Sequence, residues 1–173
     1  MARPKSPRKI CVSFTDRWPL SATMAFEREY HRNLRMSLAE KRELLGARRA
    51  IAIWMYEKRR KALIGETYGV PIRVALADVD EGTADLRRFA KTRTLYVYST
   101  TILPQFRGTG LGKILKAYLL GRAFEAGYKF VVGHARQGAS AALNVGFGAE
   151  LRRRHANWYG TGEHYWFYVQ KLP

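Results

Sequence analysis

The sequence predicts a single domain of the α+β class, and three observations support this prediction. The chain has 173 residues, which suits one domain with a sizeable core. Strand-like and helix-like runs follow the order β-α-α-β-β-β-α-β-α-β-β, with one more run before the central strand that fits a strand or a loop. No internal repeat or compositional break divides the chain. We therefore expect one domain over residues 10–173, preceded by a basic, flexible arm over residues 1–9.

Two helices are expected near the start of the chain. A short strand is predicted over residues 9–14, followed by a helix over residues 21–32 that Ser21 would cap. Ser37 and Glu40 form the sequence pattern of a capping box, in which each residue binds the other's backbone N–H. The second helix is therefore expected to begin at Ser37 and to end near Gly46.

A hairpin is predicted next, around a strongly basic turn. Its strands are expected over residues 50–56 and 62–68, and the turn carries four consecutive basic residues, Lys58 to Lys61. Residues 70–77 are expected to add a strand or to extend the hairpin. Residues 83–90 are predicted to form a short helix or a loop.

The second half of the chain has the clearest periodicity. A central strand is predicted over residues 95–102 and a helix over 111–126, with Gly127 ending the helix. Its predicted buried face recurs at helical spacing, at Leu111, Ile114, Leu115, Tyr118 and Leu119. The remaining predicted elements are a strand over 128–133, a short helix over 138–144, and strands over 149–154 and 163–171.

The composition is strongly basic. The chain has 31 Lys and Arg residues against 14 Asp and Glu residues, a net charge of +17. Such a charge favours contact with polyanions such as nucleic acid or a ribosome, although a basic surface that serves only solubility is equally compatible. The chain has one cysteine, Cys11, and no apolar run long enough to cross a bilayer. We expect a cytoplasmic protein without a membrane contact, and no metal site is predicted.

A glycine-rich turn over residues 102–113 lies between the central strand and the long helix. Glycines at 108, 110 and 112 allow a ligand to approach the backbone, and N–H groups at a helix start attract anions. The turn is not a Walker loop, because only three residues separate Gly108 from Gly112 and Ile114 stands where Ser or Thr is needed. Nor does it match the Gly-x-Gly-x-x-Gly dinucleotide fingerprint.

The turn does resemble the acetyl-CoA loop of the GNAT superfamily, the GCN5-related N-acetyltransferases. The shared pattern is aliphatic-x-Pro-x-x-Arg-Gly-x-Gly-x-Gly, matched by Ile102, Pro104, Arg107, Gly108, Gly110 and Gly112. A weaker match is the Gly146–Phe147 pair after the predicted short helix. The resemblance implies a mixed, mostly antiparallel sheet that splays between strands 4 and 5 and is flanked by about four helices. It also implies that the first two helices shape the acceptor site.

The resemblance further implies which residues bind acetyl-CoA as co-substrate. The end of the central strand would pair with the pantetheine arm through the backbone of Thr100, Thr101, Ile102 and Leu103. The pyrophosphate would lie against the backbone of Arg107, Gly108, Thr109, Gly110, Leu111, Gly112 and Lys113, with a charged contact from the Arg107 side chain. Asn144 would reach the pantetheine amides, unless it serves as a helix C-cap.

The sequence departs from the family at both usual catalytic positions. Tyr96 stands where many relatives have a glutamate base, and Ala142 where many have a tyrosine acid. Four residues remain as candidates: Tyr96 itself, His134 after the fifth strand as a proton relay, Glu66 as a solvent-facing base, and Tyr159 as an acid. Each also has a simpler interpretation, as a core, loop-capping, solvated or packing residue.

Two functions follow from this reasoning. The first is acetyl transfer from acetyl-CoA to a primary amine. Because the chain is basic, the amine is expected to be carried on RNA or a ribosome rather than on a free polycation, unless Asp78, Asp80 and Glu81 form an acidic pocket. The second is a GNAT-like module with weak or no catalysis that binds CoA or nucleic acid.

Overall fold

The computed structural model describes residues 11–173, so the predicted basic arm and the start of the first predicted strand lie outside the described residues. Seven strands are present: β1 Val12–Thr15, β2 Ile51–Glu57, β3 Ala62–Pro71, β4 Thr94–Ile102, β5 Phe130–Arg136, β6 Glu150–His155 and β7 Tyr165–Lys171. The α-helices are α1 Leu20–Thr23, α2 Leu38–Gly46, α3 Ile72–Asp78, α4 Thr83–Arg87, α5 Leu111–Glu125 and α6 Ala139–Val145. None of the helices in this part of the chain combines the length and apolar character that crossing a membrane requires.

All seven strands form one sheet, in the order β1-β2-β3-β4-β5-β7-β6. Only β4 and β5 run parallel, and every other pair is antiparallel. The parallel pair is short, since its register extends only from Thr94 opposite Phe130 to Val97 opposite Gly133. β4 continues to Ile102 on β3, while β5 continues on β7. The predicted mixed sheet with a splay between strands 4 and 5 is therefore confirmed.

Helix α5 covers one face of the sheet and closes the larger part of the core. Leu111, Leu115 and Leu119 are buried against sheet residues that include Leu95. The predicted buried face is too wide, because Ile114 is 47% exposed and Tyr118 is 42% exposed. Both lie on the edge of the apolar stripe, and the Tyr118 ring stacks on Phe14 of β1 at 4.4 Å.

Two predicted elements differ from the structure. Residues 70–77 were predicted as strand, but β3 ends at Pro71 and α3 follows. After Pro71 the buried residues Ile72, Ala75 and Val79 recur at helical spacing. An apolar run this short does not distinguish the spacing of a helix from that of a strand. The predicted helix over 21–32 is broken into α1 and two 3₁₀ turns.

The second helix agrees with its prediction. Ser37 Oγ accepts a hydrogen bond from the Glu40 N–H at 3.2 Å, and the Glu40 carboxylate accepts one from the Ser37 N–H at 2.6 Å. This capping box sets the start of α2, and the helix ends at Gly46 as expected.

Candidate active site

A cleft of about 580 Å³ opens where β4 and β5 part. Its walls include the segment between α1 and α2, β4 from Tyr96 onward, the end of β5, the end of α3, helix α6, and the connection between β6 and β7. Beyond Val97, the edge of β4 that faces β5 has no paired strand among residues 11–173. The N–H and C=O groups along such an edge are free to form hydrogen bonds, so this edge can bind an extended ligand that contains amides.

The end of β4 forms one wall of the cleft. Thr100, Thr101 and Ile102 line it, whereas Leu103 donates its N–H to Ile64 O of β3 at 3.0 Å and is not part of the wall. The Thr101 hydroxyl binds that of Tyr30, which lies in the segment before α2. This contact fixes the segment against β4.

The glycine-rich turn follows directly. Gly108 and Gly110 have positive φ, 74° and 83°, and a Cβ at either position would meet no atom within 4 Å. The turn from Gly108 to Lys113 does not line the cleft itself. It leads into the N-terminus of α5, where Gly110 is the N-cap and offers no capping side chain. The first N–H groups of the helix therefore remain available to an anion.

Arg107 is more constrained than the sequence suggests. Its Nε donates to Ile102 O at 2.9 Å, and its Nη2 binds the Glu29 carboxylate at 2.6 Å. The side chain thus ties the turn to the end of β4 and to the segment before α2. It remains 52% exposed and lines the cleft.

Asn144 lies on α6 at the cleft wall and is buried. Its Nδ2 donates to Ser140 O at 2.9 Å, one turn back along the helix. Its Oδ1 is buried without a hydrogen-bond partner among the described residues. The alternative C-cap role does not apply, since Gly146 is the C-cap of α6. A buried, unpaired acceptor is costly, so this oxygen is available to a donor that enters the cleft.

Tyr96 and His134 form a hydrogen-bonded pair at the base of the cleft. The Tyr96 hydroxyl lies 3.0 Å from His134 Nδ1, and both residues line the cleft. His134 belongs to β5 itself and not to the loop after it, which corrects the sequence interpretation. Burial, reinforced by nearby His155, holds the pKa of His134 well below its usual value, so the ring is neutral at pH 7. Burial raises the pKa of Tyr96, which is therefore protonated.

The far side of the His134 ring is tightly packed. The ring stacks on Trp158 with centroids 4.0 Å apart, and a Cβ at Gly82 would lie 2.6 Å from His134 Nε2. Nε2 has no hydrogen-bond partner among the described residues. Nearby, His155 Nε2 lies 2.8 Å from Asp85 Oδ2. His134, His155 and Asp85 each place a potential metal-ligand atom within 4.8 Å of the others, but Asp85 is already bonded to His155.

Tyr159 lies in the β6–β7 connection and has a φ of 48°. Its hydroxyl accepts hydrogen bonds from the N–H groups of Asp80 at 2.9 Å and Glu81 at 3.1 Å. Its carbonyl accepts one from Asn33 Nδ2 at 2.9 Å. Three distant segments therefore meet at this residue in the wall of the cleft.

Glu66 does not face solvent as the sequence predicted, and it does not line the cleft. It is fully buried, with both carboxylate oxygens 2.9 Å from Lys41 Nζ. Lys41 also binds Glu27 at 3.0 Å, so one buried lysine joins two carboxylates from β3 and the segment before α2. Burial raises the pKa of Glu66, and Lys41 opposes this shift. The contact could not be predicted from local pattern, because the three residues meet only in the folded chain.

A further polar pair was missed by the sequence reasoning. The Tyr98 hydroxyl donates to Asp78 Oδ2 at 2.6 Å, and both residues line the cleft. The signal was partly available, since Asp78 belongs to the only acidic cluster in the sequence. The pairing of Asp78 with Tyr98 could not be predicted, because it depends on the packing of α3 beside β4.

Comparisons with known proteins agree with this geometry. The sequence profile of the acetyltransferase (GNAT) family matches residues 20–147. No curated protein sequence matches the chain. Among solved structures, the ribosomal-protein-S18-alanine N-acetyltransferase from Escherichia coli is similar with a TM-score of 0.67 at 14% identity, covering 94% of each chain. Ard1 from Thermoplasma volcanium has a TM-score of 0.71 at 11% identity, covering 94% of this chain and 98% of its own.

Arabidopsis thaliana NAA60, solved with acetyl-CoA, has a TM-score of 0.71 at 14% identity, covering 94% of this chain and 99% of its own. At these identities the structural similarities show a shared fold. The profile match adds the sequence evidence, because it includes the parted strands, the glycine-rich turn and α6. The chain belongs to the GNAT family of acetyltransferases.

Proposed function

We propose that this protein transfers an acetyl group from acetyl-CoA to a primary amine, and that the amine is carried on RNA or a ribosome. The observation that carries the first part is the cleft between the parted ends of β4 and β5, which leads to a bare glycine-rich turn at the start of α5. This arrangement offers an extended edge for an amide-containing arm and a cluster of N–H groups for a diphosphate.

The residues present fit acetyl-CoA. The backbone of Thr100, Thr101 and Ile102 would pair with the pantetheine arm, and the unpartnered Oδ1 of Asn144 would accept an amide N–H from it. Leu103 is left out of this pairing, because its N–H is bonded to Ile64 O. The turn from Arg107 to Lys113 would hold the pyrophosphate. Open space at Gly108 and Gly110 leaves room for phosphate oxygens.

The reaction requires little covalent help from the protein. The amine nitrogen attacks the thioester carbonyl, the new N–C bond forms, the C–S bond breaks, and the proton lost by nitrogen ends on sulfur. Holding the two reactants in line supplies about 7–11 kcal/mol of the barrier. Proton transfer by a positioned side chain typically contributes roughly 100- to 10,000-fold in rate.

We assign proton transfer to Tyr96, with His134 as its partner. If His134 carries its proton on Nε2, Tyr96 donates to Nδ1; if the proton is on Nδ1, that group donates to Tyr96 and frees the phenol proton. With Nδ1–H donating to its oxygen, Tyr96 can pass its phenol proton to the departing sulfur while the same oxygen takes up the proton lost by the amine, so neither Tyr96 nor His134 becomes charged. Tyr159 instead holds the acceptor-side segments together, since its hydroxyl already accepts two backbone N–H groups.

Asp78 gives the cleft a site for the incoming ammonium group. Its carboxylate faces the cleft beside Tyr98, in a chain whose net charge is +17. Of the other carboxylates that line the cleft, Glu29 and Glu163 are paired with arginines and Glu40 caps α2, whereas Asp78 has no cationic partner among residues 11–173. Asp78 can therefore orient one amine, while the positive charge of the chain as a whole repels a free polycation. This combination favours an amine attached to a polyanionic particle. The ribosomal-protein-S18-alanine N-acetyltransferase that shares this fold acts on a ribosomal protein by its name, which supports the same class of acceptor.

Acetyl-CoA binding to two variants of one residue tests the cofactor site. Gly110→Asp places a negative charge at the turn, whereas Gly110→Asn has nearly the same shape and also tolerates positive φ. We expect the Asp variant to lose acetyl-CoA affinity at least about tenfold and the Asn variant to lose much less, by titration calorimetry. Equal affinity of the Asp variant and the wild type would show that the turn does not bind the diphosphate.

The acceptor is tested with radiolabelled acetyl-CoA and cell extract, with and without ribonuclease. We expect label on ribosomal or RNA-bound material, and a loss of labelling after ribonuclease treatment. Label found only on small soluble amines would contradict the proposed acceptor while leaving acetyl transfer intact.

A further inference from the structure

A second cavity, of about 270 Å³, lies at the end of the sheet opposite the glycine-rich turn. It is formed where β3 ends, where β4 begins and just before β5, and it shares no lining residue with the cleft. Four of its lining residues are cationic and none is acidic: Arg49, Arg73, Lys91 and Arg93 supply the charge. A concave surface with charges of one sign focuses the electrostatic field and concentrates anions.

Two of these arginines are held in place by backbone carbonyls. Arg49 Nη2 donates to Ala126 O at 2.9 Å, and Arg73 Nε donates to Ala90 O at 3.4 Å. None of the four cations forms an ion pair with a carboxylate among residues 11–173. Guanidinium groups fixed at a cavity wall and not neutralised by a carboxylate are suited to bind phosphate oxygens in pairs.

The positive charge continues along the same end of the sheet. β2 begins there, β3 ends there, β4 and β5 begin there, and β7 ends there. Exposed Lys129 precedes β5, and exposed Lys171 ends β7. Five adjacent strands span about 19 Å at the usual strand spacing of ~4.8 Å. A nucleic-acid duplex presents about one charge per 1.7 Å of its axis, so this width faces several phosphates.

We propose that this cavity binds a backbone phosphate of a nucleic acid, with the flanking row of cations contacting neighbouring phosphates. The cavity is smaller than the roughly 300–1,000 Å³ of pockets that enclose a whole small molecule, which favours one phosphate group of a longer chain. Part of the surplus of positive charge, which acetyl-CoA does not require, then has a function at this end of the sheet. The inference does not depend on the proposed acetyl transfer, because the two cavities are separate.

The test compares two double variants that each remove one lysine and one arginine. Lys91→Ala with Arg93→Ala changes the cavity, and Lys58→Ala with Arg60→Ala changes the basic turn between β2 and β3. The side chains of Lys91 and Arg93 make no hydrogen bond or ion pair within the described chain, so their loss should not affect folding. Binding of a fluorescein-labelled RNA hairpin is measured by anisotropy between roughly 50 and 200 mM salt.

We expect the cavity variant to bind RNA at least about tenfold more weakly than the wild type, with a slope of log K against log salt reduced by about one to two. The RNA affinity of the turn variant should change far less. Equal losses of RNA affinity in both variants, or no RNA binding by the wild type, would overturn the proposal. Inorganic phosphate is added as a competitor: displacement of RNA only at high millimolar phosphate is expected, and displacement at micromolar phosphate would identify a free small anion as the ligand instead. Acetyl-CoA affinity, measured on the same proteins, should be unchanged in the cavity variant, which separates this result from the proposed acetyl transfer.

Discussion

The Tyr96 hydroxyl lies 3.0 Å from His134 Nδ1, and this contact joins β4 and β5 at the end of their backbone pairing, since Tyr96 is still paired and His134 follows the last paired residue of β5. Both residues line the cleft in which the proposed reaction would bring a thioester and an amine together. Tyr96 stands where many GNAT proteins have glutamate, so under the proposed function a neutral hydrogen-bonded pair would take the place of a charged base. Catalysis by such a pair depends on position and not on titration near neutral pH.

The first prediction concerns this pair. Tyr96→Phe should lower the rate of label transfer from acetyl-CoA to cell extract by roughly 100-fold, with little change in acetyl-CoA affinity, because only the hydroxyl is lost. Tyr56→Phe, on β2 and outside the cleft, is the matched control and should retain full activity. An equal rate in the two variants would remove Tyr96 from the mechanism.

A second prediction uses the pH dependence of the same reaction. Burial keeps the pKa of His134 below its usual value, so the imidazole should not titrate between about pH 6.5 and 8.5. His134→Asn should therefore lower the rate uniformly over that range without moving an inflection. If the rate profiles of the wild type and the variant coincide in height and shape, His134 has no part in proton transfer. If the wild type has an inflection near pH 6.5 that the variant lacks, His134 is charged in the working enzyme.

A third prediction separates binding from folding at Asn144. Asn144→Leu removes the buried Oδ1 acceptor and the bond from Nδ2 to Ser140 O while keeping the branched shape of the side chain. Acetyl-CoA affinity should fall by roughly 5- to 30-fold, because one hydrogen bond to the ligand is lost. The free energy of unfolding should change by less than about 1 kcal/mol, since an unsatisfied polar atom is lost together with a satisfied one. Unchanged affinity would place the pantetheine elsewhere.

Local signals predicted the frame of the site. The capping box at Ser37 and the glycines at 108 and 110 express rules that act within a few residues, so the start of α2 and the bare turn could be predicted from sequence. The family resemblance supplied the splay between β4 and β5. The prediction of a strand after Pro71 was wrong, because the spacing of a strand cannot be told from that of a helix over so few apolar residues.

Contacts between distant segments could not be predicted. Glu66 was expected in solvent because a carboxylate on a hairpin strand usually is, and only the fold brings Lys41 beside it. The assignment of His134 to a loop failed for a smaller reason, since β5 extends three residues beyond the predicted end at Gly133. Element boundaries depend on tertiary pairing, here with β7, and a local pattern does not define them.

The buried ion pairs around Lys41 give a fourth prediction. Lys41→Met would leave two carboxylates, Glu27 and Glu66, buried without their cation. We expect a loss of about 3–5 kcal/mol in the free energy of unfolding, measured by denaturant titration. Lys58→Met, at the exposed hairpin turn, is the control and should be near neutral. A small effect at Lys41 would mean that water or proton uptake relieves the two carboxylates.

The last prediction concerns Lys116, which lies on α5 and is 1% exposed with no carboxylate partner among the described residues. Its ammonium group lies over the Tyr168 ring, 4.9 Å from the centroid, and burial lowers its pKa to about 7 from 10.5. Between those two values the unfolded chain binds a proton that the folded chain releases, so this residue makes stability increase as the pH rises from about 7 to 10.5.

Lys116→Met keeps the length of the side chain and removes the charge. It should raise the free energy of unfolding at pH 7 by an amount on the order of a few kcal/mol and flatten the dependence above that pH. Denaturant titrations of both proteins at pH 7 and pH 9.5 measure the difference, which should be smaller at the higher pH. A variant that is less stable than the wild type at both pH values would show that the contact of the lysine with Tyr168 outweighs the cost of burying the amine.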